Sequence, residues 1–398
     1  MYKKILLSLI ISLGLISCQN DELEDSSTEN IPSFETISLD SAAIIASNYS
    51  MFDKLGKLKS SSEKKEVTEV FSLKHEGQDY LHVVNYQNSG FAIVSASKKE
   101  FPILAYSDNG EFILDENMPS GLAMWLEATM ENIKIIHEKN LTPPSAVNKE
   151  WKKYSTLGDN NSTTKAFEDP YDPDDCTMQL TQRGPYLSTS WSQGCGYNDF
   201  CPLISGGPCG RSQVGCVAVA MGQIIRYHEY PSIYDYSLME DSYATSETAL
   251  LLSDCGVAIN MDYGATESGA DGGRIDNVLK DVFGYSSASD GTYALNSYNT
   301  VTSNLNQGWP LVLMGCREKN SIFGITLGYE KCHAWVCDGY RSSYFPCSGS
   351  THLQFHMNWG WSPTYNGWFG FNTWAVTMSN GTVRNYKYSN EYIFNIHP

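Results

Sequence analysis

Positive charge is scarce in this chain of 398 residues: 27 Lys and Arg stand against 45 Asp and Glu, a formal net charge of -18. A surface of that sign repels a phosphate backbone, which argues against nucleic acid as a partner. Cysteine is missing between Cys18 and Cys176, so whatever folds there does so without disulfides. The apolar run at the start, Ile5 to Ile16, stops short of the roughly 20 residues that span a bilayer. The stretch Asp159 to Lys165 has no apolar residue at all and cannot bury a core.

What is present at the N-terminus is a targeting pattern. Lys3 and Lys4 precede the apolar run, which ends Leu15-Ile16-Ser17-Cys18. That tetrad resembles a bacterial lipobox, with Cys18 as the lipid-bearing residue; the alternative is an ordinary signal peptide with an incidental cysteine. Asp21, Glu22, Glu24 and Asp25 follow, similar to surface-export signals of some Gram-negative lipoproteins. The expectation is a lipoprotein of the bacterial outer membrane, cell surface or periplasm, with a mature domain that is able to leave the anchor. Such compartments permit disulfides. Of 11 Cys, setting aside Cys18 and Cys216 leaves an odd number, so at least one further thiol stays unbridged unless two chains pair.

The length fits a signal segment plus two domains. We divide the chain into a signal peptide (1–17), a polar tether (18–36), a first α+β domain (37–140), a cleavable linker (141–175) and a second domain (176–398). Aromatic residues make up 12% of the chain, which suits a sheet-rich protein. In the first domain, periodicity predicts a helix over 41–52, strands over 67–73, 80–86, 91–96, 103–106 and 112–114, and a helix over 119–140. The linker is punctuated by Pro143, Pro144, Pro170 and Pro173 and reads as exposed, with Lys165 the expected cut site and Arg183 a second, packed one.

Chemistry concentrates in the second domain. The segment Gly215 to His228, closed by Pro231, reads as a helix with Cys216 in its first turn. A helix N-terminus favours negative charge and lowers the pKa of a thiol placed there. The alternative is a buried structural cysteine. His228 is a poor base, because twelve residues of helix put it roughly 18 Å away. His333 lies in an alternating pattern with Trp335 and Cys337 on the same face, and Asn358 on the next strand is placed to accept an imidazole N–H. Gln193 in Trp191-Ser192-Gln193-Gly194 is able to offer a side-chain N–H to an oxyanion, with the backbone N–H of Cys216 as second donor.

Taken together, Trp191-Ser192-Gln193 with Tyr197-Asn198, Gly215-Cys216-Val217-Ala218 with Gln223 to His228, His333-Ala334-Trp335-Val336 with Asp338-Gly339, and Asn358-Trp359-Gly360-Trp361 with Asn366-Gly367 resemble the streptopain family of bacterial cysteine proteases. Gly90 to Ala96 and Pro102 to Ser107 resemble that family's inhibitory propeptide. The resemblance covers about residues 40 to 398. It implies an α+β, papain-like catalytic domain, a helical part carrying Cys216 on an antiparallel sheet carrying His333. It implies a zymogen that cuts proteins without cofactor or metal and is held by its own propeptide. It further implies Gln193 at the oxyanion, Asn358 and Trp359 supporting His333, and Gly215, Gly269 and Cys332 contacting substrate. Two departures stand out: Cys332 replaces the family's usual Gly, and Met378 to Lys387 keeps only Gly381 of a glycine-rich loop.

Three competing readings remain: an acyl transferase using the same thiol and imidazole, a catalytically inactive surface protein acting as inhibitor or adhesin, and a metal site at Cys332, His333 and Cys337. The four intact residues Cys216, His333, Gln193 and Asn358 favour the protease.

Overall fold

In the first domain, four strands follow one another in sequence, each antiparallel to the next: β1 (Val67–His75), β2 (Gln78–Tyr86), β3 (Phe91–Ser95) and β4 (Ile103–Ser107). β3 is buried at every residue, as a strand flanked on both edges and covered on both faces should be. The chain is seen here as a computed structural model that describes residues 34–52, 64–115, 118–156, 178–293, 297–316, 321–322, 325–326, 332–371 and 391–398. The signal segment, Cys18, most of the tether and Lys165 lie outside these residues.

Three helices dress this meander: α1 (Leu39–Ser50), α2 (Ser120–Glu138) and α3 (Ser145–Thr156). Ser38 starts α1 by accepting the Ser41 N–H on its hydroxyl at 3.1 Å. Two expectations need correction. Residues 145–156, assigned to the linker, fold as α3 and belong to the first domain. Val147, Trp151 and Tyr154 recur at helical spacing and are buried, and the Trp151 indole donates to the Glu100 carbonyl at 2.7 Å. Residues 112–114 form no strand. Instead the Asn85 amide imitates a strand partner, accepting from Phe112 N at 2.9 Å and donating to Phe112 O at 3.0 Å.

The second domain contributes β5 (Gln179–Arg183), α4 (Cys216–His228), α5 (Ser246–Ala258), α6 (Ile275–Asp281), β6 (Ser287–Thr292), α7 (Ser297–Asn306), β7 (Leu311–Cys316), β8 (Ser321–Ile322), β9 (Ile325–Thr326), β10 (Cys332–Phe345), β11 (Ser350–Asn358), β12 (Gly367–Gly370) and β13 (Glu391–His397). Its sheet does not stop at the domain boundary. The strand order is β1-β2-β3-β4-β12-β11-β10-β7-β13-β6, with β5 alongside the far part of β10, so the first domain extends the catalytic sheet through β4 and β12. At that seam Trp368 pairs with Tyr106 and Phe369 with Ala105. Trp125 of α2 donates its indole N–H to Gly370 O at 2.7 Å, and Tyr365 donates to Ile113 O at 3.0 Å.

The alternation of β7 and β10 sorts their side chains between two cores. Leu311, Leu313, Trp335 and Cys337 join the core that includes α2, whereas Val312, Met314, Ala334 and Val336 join the core that includes α4. Each fully buried side chain of this size contributes about 1.5–3 kcal/mol. The sheet that carries His333 is thus held between the Cys216 helix on one face and a helix of the first domain on the other. This is the α+β architecture that the resemblance implies. No helix among the described residues is long and apolar enough to cross a membrane.

Candidate active site

α4 begins at Cys216 because Gly215 makes a backbone turn that other residues resist. Its φ is +92°, and a β-carbon there would meet Met261 Sδ at 2.7 Å and Ser268 O at 3.0 Å. From Cys216 to Ile225 every residue of α4 is buried, and small Ala218 and Ala220 let the helix lie close to its neighbours. The loop carrying Gln193 is tied to this start, since Gln193 O accepts the Val214 N–H at 3.0 Å. Gln193 itself is buried.

His333 sits near the start of β10 with 2% exposure. Its Nε2 lies 2.8 Å from the Trp359 carbonyl oxygen. A carbonyl only accepts, so Nε2 carries the proton and the lone pair falls on Nδ1. The ring stacks on Trp335 at 5.9 Å and meets the edge of Trp361 at 5.0 Å. The next residue after Trp359 is Gly360, where a β-carbon would touch Val219, one turn into α4. His333 and the helix that starts at Cys216 therefore meet through the Trp359-Gly360 backbone.

Asn358 does not hold the imidazole, which corrects the expectation from sequence. Its Nδ2 donates to Thr189 O at 2.6 Å and to Gln223 Oε1 at 3.0 Å, and its Oδ1 accepts from Gln223 Nε2 at 3.2 Å and Gly360 N at 3.2 Å. Its hydrogen-bonding capacity is spent there. The support for His333 comes instead from the main chain of the following residue. Trp359 is itself fixed, with its N–H on Asn366 Oδ1 at 3.0 Å and its indole on Tyr365 O at 3.1 Å.

Gln223 is the residue that sequence reasoning passed over except as part of a motif. It is fully buried, and besides Asn358 its Oε1 accepts from Thr189 Oγ1 at 3.0 Å and from Trp191 N at 3.3 Å. One side chain thus joins the Gln193 loop, the Cys216 helix and the Trp359 loop. Its position two turns along α4 from Cys216 was the only sequence signal.

Among the described residues, Cys201, Cys255, Cys337 and His228 are poor rivals. Burial raises the pKa of Cys201, Cys255 and Cys337, which makes them inert. Burial pushes His228 down to about 4. Disulfides join Cys195 to Cys209 and Cys316 to Cys332, and Cys347 is also bridged. Cys332 is therefore committed to a disulfide and does not serve as a metal thiolate. Gly269 bonds across to Asp262 at 2.8 and 3.1 Å, and nothing lies within 4 Å of where its β-carbon would be, so its outer side is open.

The profile of the peptidase C10 family matches residues 191–237 and 232–369, and that of the Spi protease inhibitor matches residues 35–133. The chain is 25% identical over 338 residues to streptopain of Streptococcus pyogenes serotype M1, covering 73% of each chain. It is 21% identical over 323 residues to the thiol protease/hemagglutinin PrtT of Porphyromonas gingivalis, spanning 72% of this chain and 33% of that one. A solved fragment of Prevotella intermedia prointerpain A superposes with a TM-score of 0.54 at 22% identity, covering 82% of this chain and 97% of that one. The chain belongs to the peptidase C10 family of cysteine proteases, and it carries a Spi-type inhibitor domain ahead of its catalytic domain.

Proposed function

We propose that the protein is a lipid-anchored, exported cysteine endopeptidase in which Cys216 is the nucleophile and His333 its base. The observation that carries this reading is the bond from His333 Nε2 to the Trp359 carbonyl, which leaves the Nδ1 lone pair to take a proton. The thiol of Cys216 gives its proton to Nδ1, and the sulfur attacks the scissile carbonyl carbon. The resulting oxyanion is received by the Cys216 backbone N–H and the Gln193 side-chain amide, each such donor being worth about 3 kcal/mol. The amine leaves with the proton from the imidazolium, and water, deprotonated by His333, hydrolyses the thioester. Gly215, Gly269 and the backbone at Cys332 contact the substrate. The resemblance suggests an apolar side chain one residue before the cleaved one.

Cys18 carries the anchor, on the strength of the Leu15-Ile16-Ser17-Cys18 tetrad, and the protein is exported to the outer membrane, cell surface or periplasm. A cut near Lys165 separates propeptide from catalytic domain, since the linker there is polar and every catalytic residue lies beyond it.

Mapping the residue modified by an active-site thiol reagent tests the core of the reading. Labelling should fall on Cys216, and the purified Cys216→Ala and His333→Ala chains should cut neither casein nor their own linker. Peptide hydrolysis retained by either variant defeats the assignment.

A further inference from the structure

The strand that carries His333 is held unevenly along its length. β10 pairs with β11 only from Val336 onward, whereas on its other edge it pairs with β7 from Cys332 to Cys337. On the far edge of β7, β13 pairs only with Val312 to Met314, so among the described residues Cys332–His333 opposite Gly315–Cys316 is a two-stranded ribbon end. His333 stands one residue from the end of that ribbon, opposite Gly315, which has no side chain to brace it. Ends of such ribbons open at little free-energy cost. A base that must keep Nε2 on one carbonyl and Nδ1 toward a thiol does not tolerate that freedom.

The final pair of the ribbon is Cys316 opposite Cys332, and these two are bonded, with Cα atoms 3.9 Å apart. The crosslink closes the ribbon beside His333. Both cysteines are exposed, so a small reductant reaches them, in contrast to the buried thiols Cys201, Cys255 and Cys337.

We propose that the Cys316–Cys332 disulfide is a positioning device for His333, and that opening it lowers turnover while Cys216 remains a competent thiol. The inference rests on His333 being the base. The opening step is an exchange with a dithiol: its thiolate attacks one sulfur, and its second thiol then displaces the protein from the mixed disulfide. Two electrons and two protons pass to Cys316 and Cys332, and the reductant leaves as a disulfide. The enzyme then has opposed redox needs. Cys216 must stay reduced, and the clasp beside its base must stay oxidised, so activity peaks at an intermediate redox poise.

The test uses the activated wild-type enzyme across graded ratios of a reduced and oxidised small dithiol. Differential alkylation with mass spectrometry reads each disulfide, and an active-site reagent counts reactive Cys216. As Cys316–Cys332 opens, kcat should fall by about ten- to a hundredfold, with the Cys216 count constant. The pH profile of Cys216 alkylation should move with it, because the thiolate loses a fixed imidazole; a merely structural clasp would leave that profile alone. The Cys316→Ala/Cys332→Ala chain should show the lowered kcat at every poise. If that chain does not fold, the wild-type titration decides by itself. Unchanged kcat with the disulfide open overturns the inference, as does a loss that tracks Cys195–Cys209 instead. Activity retained by His333→Ala would defeat the base assignment separately, whereas an inactive His333→Ala beside a harmless opening would defeat this inference alone.

Discussion

Gly121, in the first turn of the propeptide helix α2, lies so close to Trp335 and Trp359 that a β-carbon there would sit 2.8 Å from both indoles. Those two rings pack at 5.1 Å from each other, and Trp335 also stacks on His333. The inhibitor domain thus rests on the aromatic rings that flank His333.

Gly121→Leu should therefore loosen the propeptide, because its side chain collides with Trp335 and Trp359, while every residue of the catalytic domain stays as it is. Overpacking of this kind costs about 1–3 kcal/mol. The uncut full-length chain, verified by intact mass, should show roughly tenfold or more the residual activity of the parent. Equal latency in the two chains would mean that this contact does not hold the propeptide.

Gln223→Leu should damage catalysis although the residue touches no substrate. Three donors, Thr189 Oγ1, Trp191 N and Asn358 Nδ2, lose their acceptor, and each buried group left unsatisfied costs about 1–3 kcal/mol. We expect kcat/KM to fall at least about tenfold. Asn358→Leu should cost a similar amount. The double variant should lose clearly less than the sum of the two, because the pair acts as one unit. Additive losses would show that the two amides work independently.

Glu100 makes the zymogen sensitive to alkali. Its carboxyl is buried, its Oε2 finds no hydrogen-bond partner, and burial raises its pKa to about 8. The native state holds this proton where the unfolded chain has released it. The stability linked to it is complete below the ordinary carboxylate range and is lost as pH rises toward 8. Glu100→Gln keeps shape and neutrality, so it should raise the stability of the Cys216→Ala zymogen at pH 8 by about 1–3 kcal/mol and little at pH 5. Buried histidines act on the acid side: burial lowers the pKa of His82 and takes His137, His228 and His352 down to about 4, so stability also falls as pH drops from the usual histidine value toward 4. Urea melts at both pH values give the answer, and an equal gain at pH 5 and pH 8 would contradict the ionisation account.

The sequence made some of this legible and hid the rest for definable reasons. Local periodicity gave α1, α2, α4 and the strands β1 to β4 to within a few residues, because each buries one regular face. Motif spacing singled out Cys216, His333, Gln193 and Asn358 as candidates. Trp359 was expected beside Asn358 as support for His333, but not through its main-chain carbonyl, which has no residue signature, whereas the Asn358 side chain drew that role to itself. α3 was hidden because Lys149, Glu150, Lys152 and Lys153 surround its buried side chains and read as linker. Asn85 standing in for a strand beside Phe112, and Cys316 finding Cys332, are long-range pairings that only the folded chain reveals.

The seam between β4 and β12 pairs only Tyr106 with Trp368 and Ala105 with Phe369. Main-chain bonds contribute about 1 kcal/mol each, so parting the sheet along this line is cheap in backbone terms. Departure of the propeptide then turns β12 into a rim, a place where foreign strands dock and aggregates start. The rim is only Gly367–Gly370 long, too short to template a partner, so the mature enzyme would shed its inhibitor without acquiring an adhesive edge.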